Sequence, residues 1–244
     1  MGCKFIRTKL SLLKREYEID VVIANGENCA DGNGVTPSGA RYLFDSGVDL
    51  ISLGNHTFRR PEIQDYLEEE RNIVRPANFP KAVPGRGFTV LDMGRIQICL
   101  INLMGISYME PLYCPFEKLD EILKDNTLPK IKIIDFHAEA TGEKRALGFY
   151  ADGRVSAFFG THTHVQTADE CILPNGTGYI TDVGMVGSTN SVLGVKPELV
   201  IKKLKSKLPV RFDFAQESQE LNCVIFEVDE KTAKCISVKR LNIR

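Results

Sequence analysis

The stretch "GTHTHVQTADE", Gly160 to Glu170, sets two histidines one residue apart in a chain that has four histidines in all. The other two are His56 in "LGNHTF" and His137 in "IDFHAEA", so every imidazole follows an apolar run that reads as a strand. Four polar clusters thus end such runs: "NGEN" (Asn25 to Asn28), "GNH" (Gly54 to His56), "DFH" (Asp135 to His137) and "THTH" (Thr161 to His164). Ligands of α/β sheets gather at the carboxyl ends of strands. If these ends point the same way, one carboxylate (Glu27), two amides (Asn28, Asn55) and four imidazoles (His56, His137, His162, His164) meet in one cleft. Such a donor set suits first-row metals such as Fe, Mn or Zn, and the lack of thiolates argues against a structural zinc. It exceeds what one ion needs. A glutamate bridging two ions roughly 3.5 to 4 Å apart would use it economically and would activate a water for attack on phosphorus.

Each cluster alone has an ordinary explanation. An isolated HxH is more often a surface or satisfied pair, Gly-Asn-His is common turn chemistry, and His137 could be a core histidine donating to Asp135. It is the agreement of all four that points to a site. Asp135 and Glu139 flank His137 at two residues on its strand face, so either could orient the imidazole. Arg75 and Arg86 are phosphate-clamp candidates by chain order but read better as solvated arginines.

The elements that must position these residues alternate. "IRTKLSLLKREYE" carries Ile6, Leu10, Leu13 and Tyr17 at helical spacing, and "IDVVIANGE" follows as a buried strand. "TPSGARYLFDSG" offers Thr36 as an N-cap, Pro37 at the first helical position and Gly47 as a stop before the strand "VDLISLGN". "PEIQDYLEEE" is a short helix, and "GFTVLDM" with "RIQICLINL" is a hairpin turned at "DMGR". Helix "FEKLDEILKD", strand "KIKIIDFH", helix "AEATGEKRALGFYA" and strand "VSAFFG" come next. The last part is β-rich: a hairpin turned at Asn175-Gly176, then the strands "LNCVIFEVD" and "CISVKRLNI". This order predicts an α/β fold of two packed sheets with helices outside, in a single domain over residues 1–244. "GENCADGNG" does not match the GxGxxG of a dinucleotide fold.

Composition narrows the classes. A formal net charge of −1 from 31 basic and 32 acidic residues gives no electrostatic case for a stable nucleic-acid complex, while a small anionic substrate fits. No run reaches the roughly 20 apolar residues of a membrane helix, so a cytoplasmic protein without membrane partners is expected. "MGCKFI" has Ile6 where a myristoylation signal wants Ser or Thr. The nearest two of the seven cysteines, Cys223 and Cys235, differ by 12 in number, which excludes CxxC redox or zinc-ribbon spacing.

"VVIANGEN", "ISLGNHTF", "RPANFP", "INLMG", "IIDFHAEAT", "GTHTHVQTADE" and "YITDVGM" occur in the order and at the intervals of a known group. The chain resembles the YmdB-like branch of the calcineurin-like metallophosphoesterases from about Ile19 onward. The resemblance implies a two-sheet α/β sandwich, a dinuclear metal centre and hydrolysis of phosphodiesters, 2′,3′-cyclic nucleotides among them. It implies Glu27 as bridging carboxylate, Asn28 and His164 on the first metal, and Asn55, His137 and His162 on the second. His56 would bind no metal and would give a proton to the leaving oxygen.

The family pattern opens with a strand that ends in a metal-binding Asp, whereas a helix begins here almost at Met1. That strand and its Asp are therefore expected to be missing, with Asp31 the nearby carboxylate that could swing in. One of the two ions would then be weak, and the protein would associate as a homo-oligomer through the exposed sheet position. A rival from another class is a weakened homologue that binds a nucleotide or partner as a regulator. A metallo-β-lactamase-type hydrolase is disfavoured, because Val165-Gln166 follows His164 in place of an Asp-His pair.

Overall fold

The computed structural model of the chain describes residues 2–30 and 32–244. The first half runs α1 (Gly2–Glu16), β1 (Ile23–Asn25), α2 (Pro37–Asp45), β2 (Leu50–Ser52), α3 (Ile63–Glu69), β3 (Ile73–Val74), β4 (Phe88–Asp92) and β5 (Gln97–Met104). Then come α4 (Pro115–Leu123), β6 (Ile131–His137), α5 (Thr141–Ala151), β7 (Ala157–Thr161), β8 (Cys171–Ile172) and β9 (Gly178–Ile180). β10 (Val186–Ser188), α6 (Pro197–Ser206), β11 (Gln219–Val228) and β12 (Cys235–Ile243) complete it.

Local signals act as expected where they are strong. Thr36 Oγ1 accepts from the Gly39 N–H at 3.1 Å and so caps α2, with Pro37 at its first position. Gly47 follows the helix at φ 101°, a left-handed conformation that glycine adopts freely. Gly176, at φ 102°, turns the β8–β9 connection.

The alternation of each strand then sets the layers. β1, β2 and β3 form a parallel sheet. A six-stranded sheet has the order β4-β5-β6-β7-β9-β8, parallel inside with antiparallel pairings at both edges. Ile51 and Ile73 face outward to Leu10 of α1, Leu43 of α2 and Leu67 of α3. Ile101, Ile134, Phe136 and Phe158 face the other way, to Leu119 of α4 and Leu147 of α5. Between the sheets, Leu50, Val74 and Leu100 meet Ile23, Leu91 and Ile133. Helices, sheet, sheet and helices therefore lie in succession, which is the expected mixed α/β arrangement.

β10, β11 and β12 make a third, antiparallel sheet. It is joined to the turn before β9 by the Cys235 N–H donating to Gly176 O at 2.9 Å. α6 is not legible in the β-rich end of the sequence, and none of its residues is buried, so no partner face imposes a clean helical stripe on it. Among the described residues no helix is long and apolar enough to cross a membrane.

Leu100, fully buried between the sheets, should cost about 2–5 kcal/mol of stability when changed to Ala. The half-exposed Leu12 of α1 should cost about 0.5 kcal/mol or less in the same substitution. Urea unfolding midpoints check this; equal losses would contradict the assigned inter-sheet core.

Candidate functional site

The inter-sheet face changes character within two residues along four strands. Ile23, Leu50, Leu100 and Ile133 are followed on the same face by Asn25, Ser52, Asn102 and Asp135. Strand pairing sets Asn25 beside Ser52, and Asn102 beside Asp135. Asp135 is wholly buried, yet its carboxylate receives Ser52 Oγ at 2.5 Å, Thr161 Oγ1 at 2.7 Å and Asn25 Nδ2 at 3.1 Å. Burial pushes its pKa up, against the pull of His137 and these donors. Asn102 closes the layer, accepting the Leu53 N–H at 3.2 Å and donating to Asp135 O at 3.3 Å.

At the end of β6 stands His137, beside Thr161 of β7. Thr161 directs its hydroxyl hydrogen to Asp135, so at 2.9 Å its oxygen accepts from His137 Nδ1–H. That fixes the tautomer and leaves a lone pair on Nε2. Around Nε2 lie Asn55 Oδ1 at 2.9 Å, His162 Nδ1 at 3.0 Å and Glu27 Oε1 at 3.1 Å. His162 places its other nitrogen 3.1 Å from Glu139 Oε2, which assigns the N–H to Nε2 and a second lone pair to Nδ1. Four acceptors thus converge on one point in a buried setting. Only a second proton on His137 or a cation makes that favourable, and two imidazoles, a carboxylate and an amide oxygen are a fitting shell for a first-row divalent ion. Glu27, His137 and His162 form a group whose ligand atoms lie within 4.8 Å of one another.

The second half of the site is looser. His164 Nε2 lies 3.3 Å from Asn28 Nδ2, and its buried Nδ1 has no hydrogen-bond partner among the described residues. With Asn28 Nδ2 donating to Nε2, the hydrogen of a neutral His164 falls on Nδ1, a buried donor left without an acceptor. Asn28 turns its amide oxygen to His56 Nδ1 at 2.8 Å, while its nitrogen faces Glu27 and His164. Glu27 also receives the His56 backbone N–H at 2.9 Å, which ties the "GNH" turn to the "GEN" turn. Glu27, Asn28, His56, His162 and His164 line one cleft of about 270 Å³ together with Glu139, Thr163 and Leu193.

Charge is distributed accordingly. Burial pushes the Glu27 carboxyl up, but His137 and the His56 N–H outweigh it and bring the pKa down to about 2. Burial and then repulsion from His137 push His162 down to about 4. Burial also lowers His56, against the attraction of Glu27 and with the help of Arg59.

All seven residues singled out from sequence are brought together, Asn55 by its contact with His137 and the other six around the cleft and its floor. Other expectations need correction. Glu139 meets His162 and not His137, because the chain turns after β6; Asp135 reaches His137 through Thr161. Arg75 is buried and commits its guanidinium to the carbonyls of Pro76, Val83 and Pro84. Arg86 donates to Glu68 O, and neither arginine lines the cleft. Asp31 lies outside the described residues. Asn25, Ser52, Asn102 and Thr161 are supporting residues that sequence reasoning misses; a polar side chain in phase with the inward apolar positions of a strand is the available signal.

Two facing sheets with helices outside, and a carboxylate–imidazole–amide cluster at strand ends, define a protein of the metallophosphoesterase type. The family model described as "YmdB-like protein" matches residues 1–241, and the chain belongs to that family. It is 46% identical over 244 residues to the 2′,3′-cyclic-nucleotide 2′-phosphodiesterase of Bacillus subtilis (strain 168), spanning 99% of this chain and 92% of that one. A novel phosphatase of Mycoplasma pneumoniae superimposes with a TM-score of 0.93 at 36% identity, over 99% of this chain and 88% of that one. A hypothetical protein of Thermus thermophilus does so with a TM-score of 0.92 at 37% identity, over 98% of this chain and 93% of that one.

Two outcomes follow for solution work. Thr161→Val removes the acceptor that fixes the His137 tautomer and should weaken metal binding about 10- to 100-fold, as read by equilibrium dialysis; unchanged affinity would show that Thr161 does not set the ring. In the metal-free protein, His162 has a folded pKa of about 4 against an ordinary value of 6.5. The unfolded chain therefore binds more protons in that window, and stability should fall as pH drops from 6.5 towards 4. Urea midpoints that stay flat across this range in wild type would contradict the assignment.

Proposed function

We propose that this chain hydrolyses phosphodiesters, with 2′,3′-cyclic nucleotides as substrates and Fe, Mn or Zn as its metals. Glu27 would bridge two ions, Asn55, His137 and His162 completing one site and Asn28 and His164 the other. The observation that carries this is the convergence of Asn55 Oδ1, His162 Nδ1 and Glu27 Oε1 on the lone pair of His137 Nε2. The name of the Bacillus subtilis relative supports the substrate class. Ligation by Asn28 requires its amide to turn over, since the oxygen now faces His56.

When bound, the ions would neutralise the nonbridging phosphate oxygens and lower the pKa of the attacking water. The protein's own groups supply the rest. A cyclic phosphodiester loses an alkoxide, which needs a proton as the bond breaks. His56 lines the cleft, and its imidazolium form would deliver that proton. Its lowered pKa makes the imidazolium a minor but strong acid near neutrality. Neutral amide ligands leave the cleft less negative than carboxylates would, which suits an anionic substrate.

His56→Ala should cut turnover of a 2′,3′-cyclic nucleotide by about 10²- to 10⁴-fold with metal content unchanged. A nitrophenyl phosphodiester, whose leaving group needs no proton, should suffer less. Loss of metal in this variant would make His56 a ligand, and equal losses on both substrates would remove its role as acid. Metal-reconstituted wild type without activity on either substrate would overturn the proposal itself.

A further inference from the structure

His162 and His164 both have positive φ, 101° and 66°, a region that non-glycine residues avoid. Strained residues of this kind persist only where the surroundings over-determine them. The constraint here lies on the residue between them. Thr163 directs its backbone N–H at 3.2 Å and its hydroxyl at 2.8 Å to the same atom, Asp182 Oδ2. That oxygen also receives Lys144 Nζ of α5 at 2.7 Å, and both charged side chains are 1% exposed. Asp182 Oδ1 takes the Gly184 N–H at 2.9 Å. The Asp182 backbone is pinned in turn by its N–H donating to Thr167 Oγ1 and by the Thr167 N–H donating to its carbonyl, both at 3.0 Å.

The sequence makes room for this. A Cβ at Gly160 of β7 would collide with Thr181 O and lie 3.0 Å from Lys144 Cδ, so glycine lets β7 and the chain leading into Asp182 lie close together beside the lysine stem. The lysine thus passes beside the strand that leads into the two histidines.

We infer that the Lys144–Asp182 pair is a positioning strut that holds Thr163 and thereby sets His162 and His164 at once, coupling the two metal positions mechanically. This rests on the metal assignment proposed above, in which the two histidines serve different ions. A buried ion pair is poor grounds for a purely stabilising role, because apolar replacements of similar size are commonly neutral or stabilising. Lys144 and Asp182 are buried and do not line the cleft, so they act through Thr163.

The test measures affinity for Mn²⁺ or Zn²⁺ at both sites by equilibrium dialysis, beside thermal unfolding of the metal-free protein. Thr163→Val, which removes the hydroxyl bond, should weaken both ions about 10- to 100-fold while the unfolding midpoint stays near wild type. Thr163→Ser should restore both. The double variant Lys144→Met/Asp182→Leu should fold with a midpoint at or above wild type and still lose affinity at both sites. Asn55→Ala should weaken one ion only. Wild-type affinity in Thr163→Val, or losses that follow the unfolding midpoint, would overturn the strut. A wild type that binds no transition metal at all would overturn the underlying metal assignment and the strut with it.

Discussion

A carboxylate with no access to water governs this molecule. Asp135 sits between two sheets, and an ion buried there costs several kcal/mol unless donors compensate it. Ser52, Thr161 and Asn25 supply them, one from each of β2, β7 and β1. These bonds staple the carboxyl end of the three-stranded sheet to that of the six-stranded sheet. Below them Leu50, Val74 and Leu100 meet in apolar contact. The sheets are thus free to be dry at one end and must be polar at the other.

The chemistry of the site is a continuation of that layer. Thr161 cannot donate twice, so its bond to Asp135 dictates which nitrogen of His137 carries hydrogen. The remaining lone pair looks into a group of acceptors that repel one another. Strand ends from both sheets contribute to it, Glu27 after β1, Asn55 after β2, His137 at the end of β6 and His162 after β7. Such a cluster is favourable only with positive charge at its centre, which a cation or a second proton on His137 would supply.

Much of this is legible in the sequence because histidine is scarce here and each copy follows a strand. The strands β5, β6 and β7 stand out through long apolar runs, and α2 through Thr36 and Pro37. Supporting residues are harder. Asn25 and Thr161 are marked locally only by falling in phase with the inward apolar positions of their strands; their meaning comes from Asp135, 110 and 26 positions away in sequence. Spacing alone pairs Glu139 with the wrong imidazole, because strand periodicity says nothing once the strand has ended. Arg75 reads as a solvated arginine, yet it folds back on three carbonyls near it in the chain. α6 stays hidden since it buries nothing.

Anomalous scattering from crystals of protein loaded with Mn²⁺ or Zn²⁺ addresses the central claim directly. A peak is expected about 2.0–2.2 Å from His137 Nε2, with His162 Nδ1, Asn55 Oδ1 and Glu27 around it. His137 Nδ1 should still face Thr161. A peak reached through Nδ1 of a reversed His137 ring, or no metal at this point under saturating conditions, would contradict it.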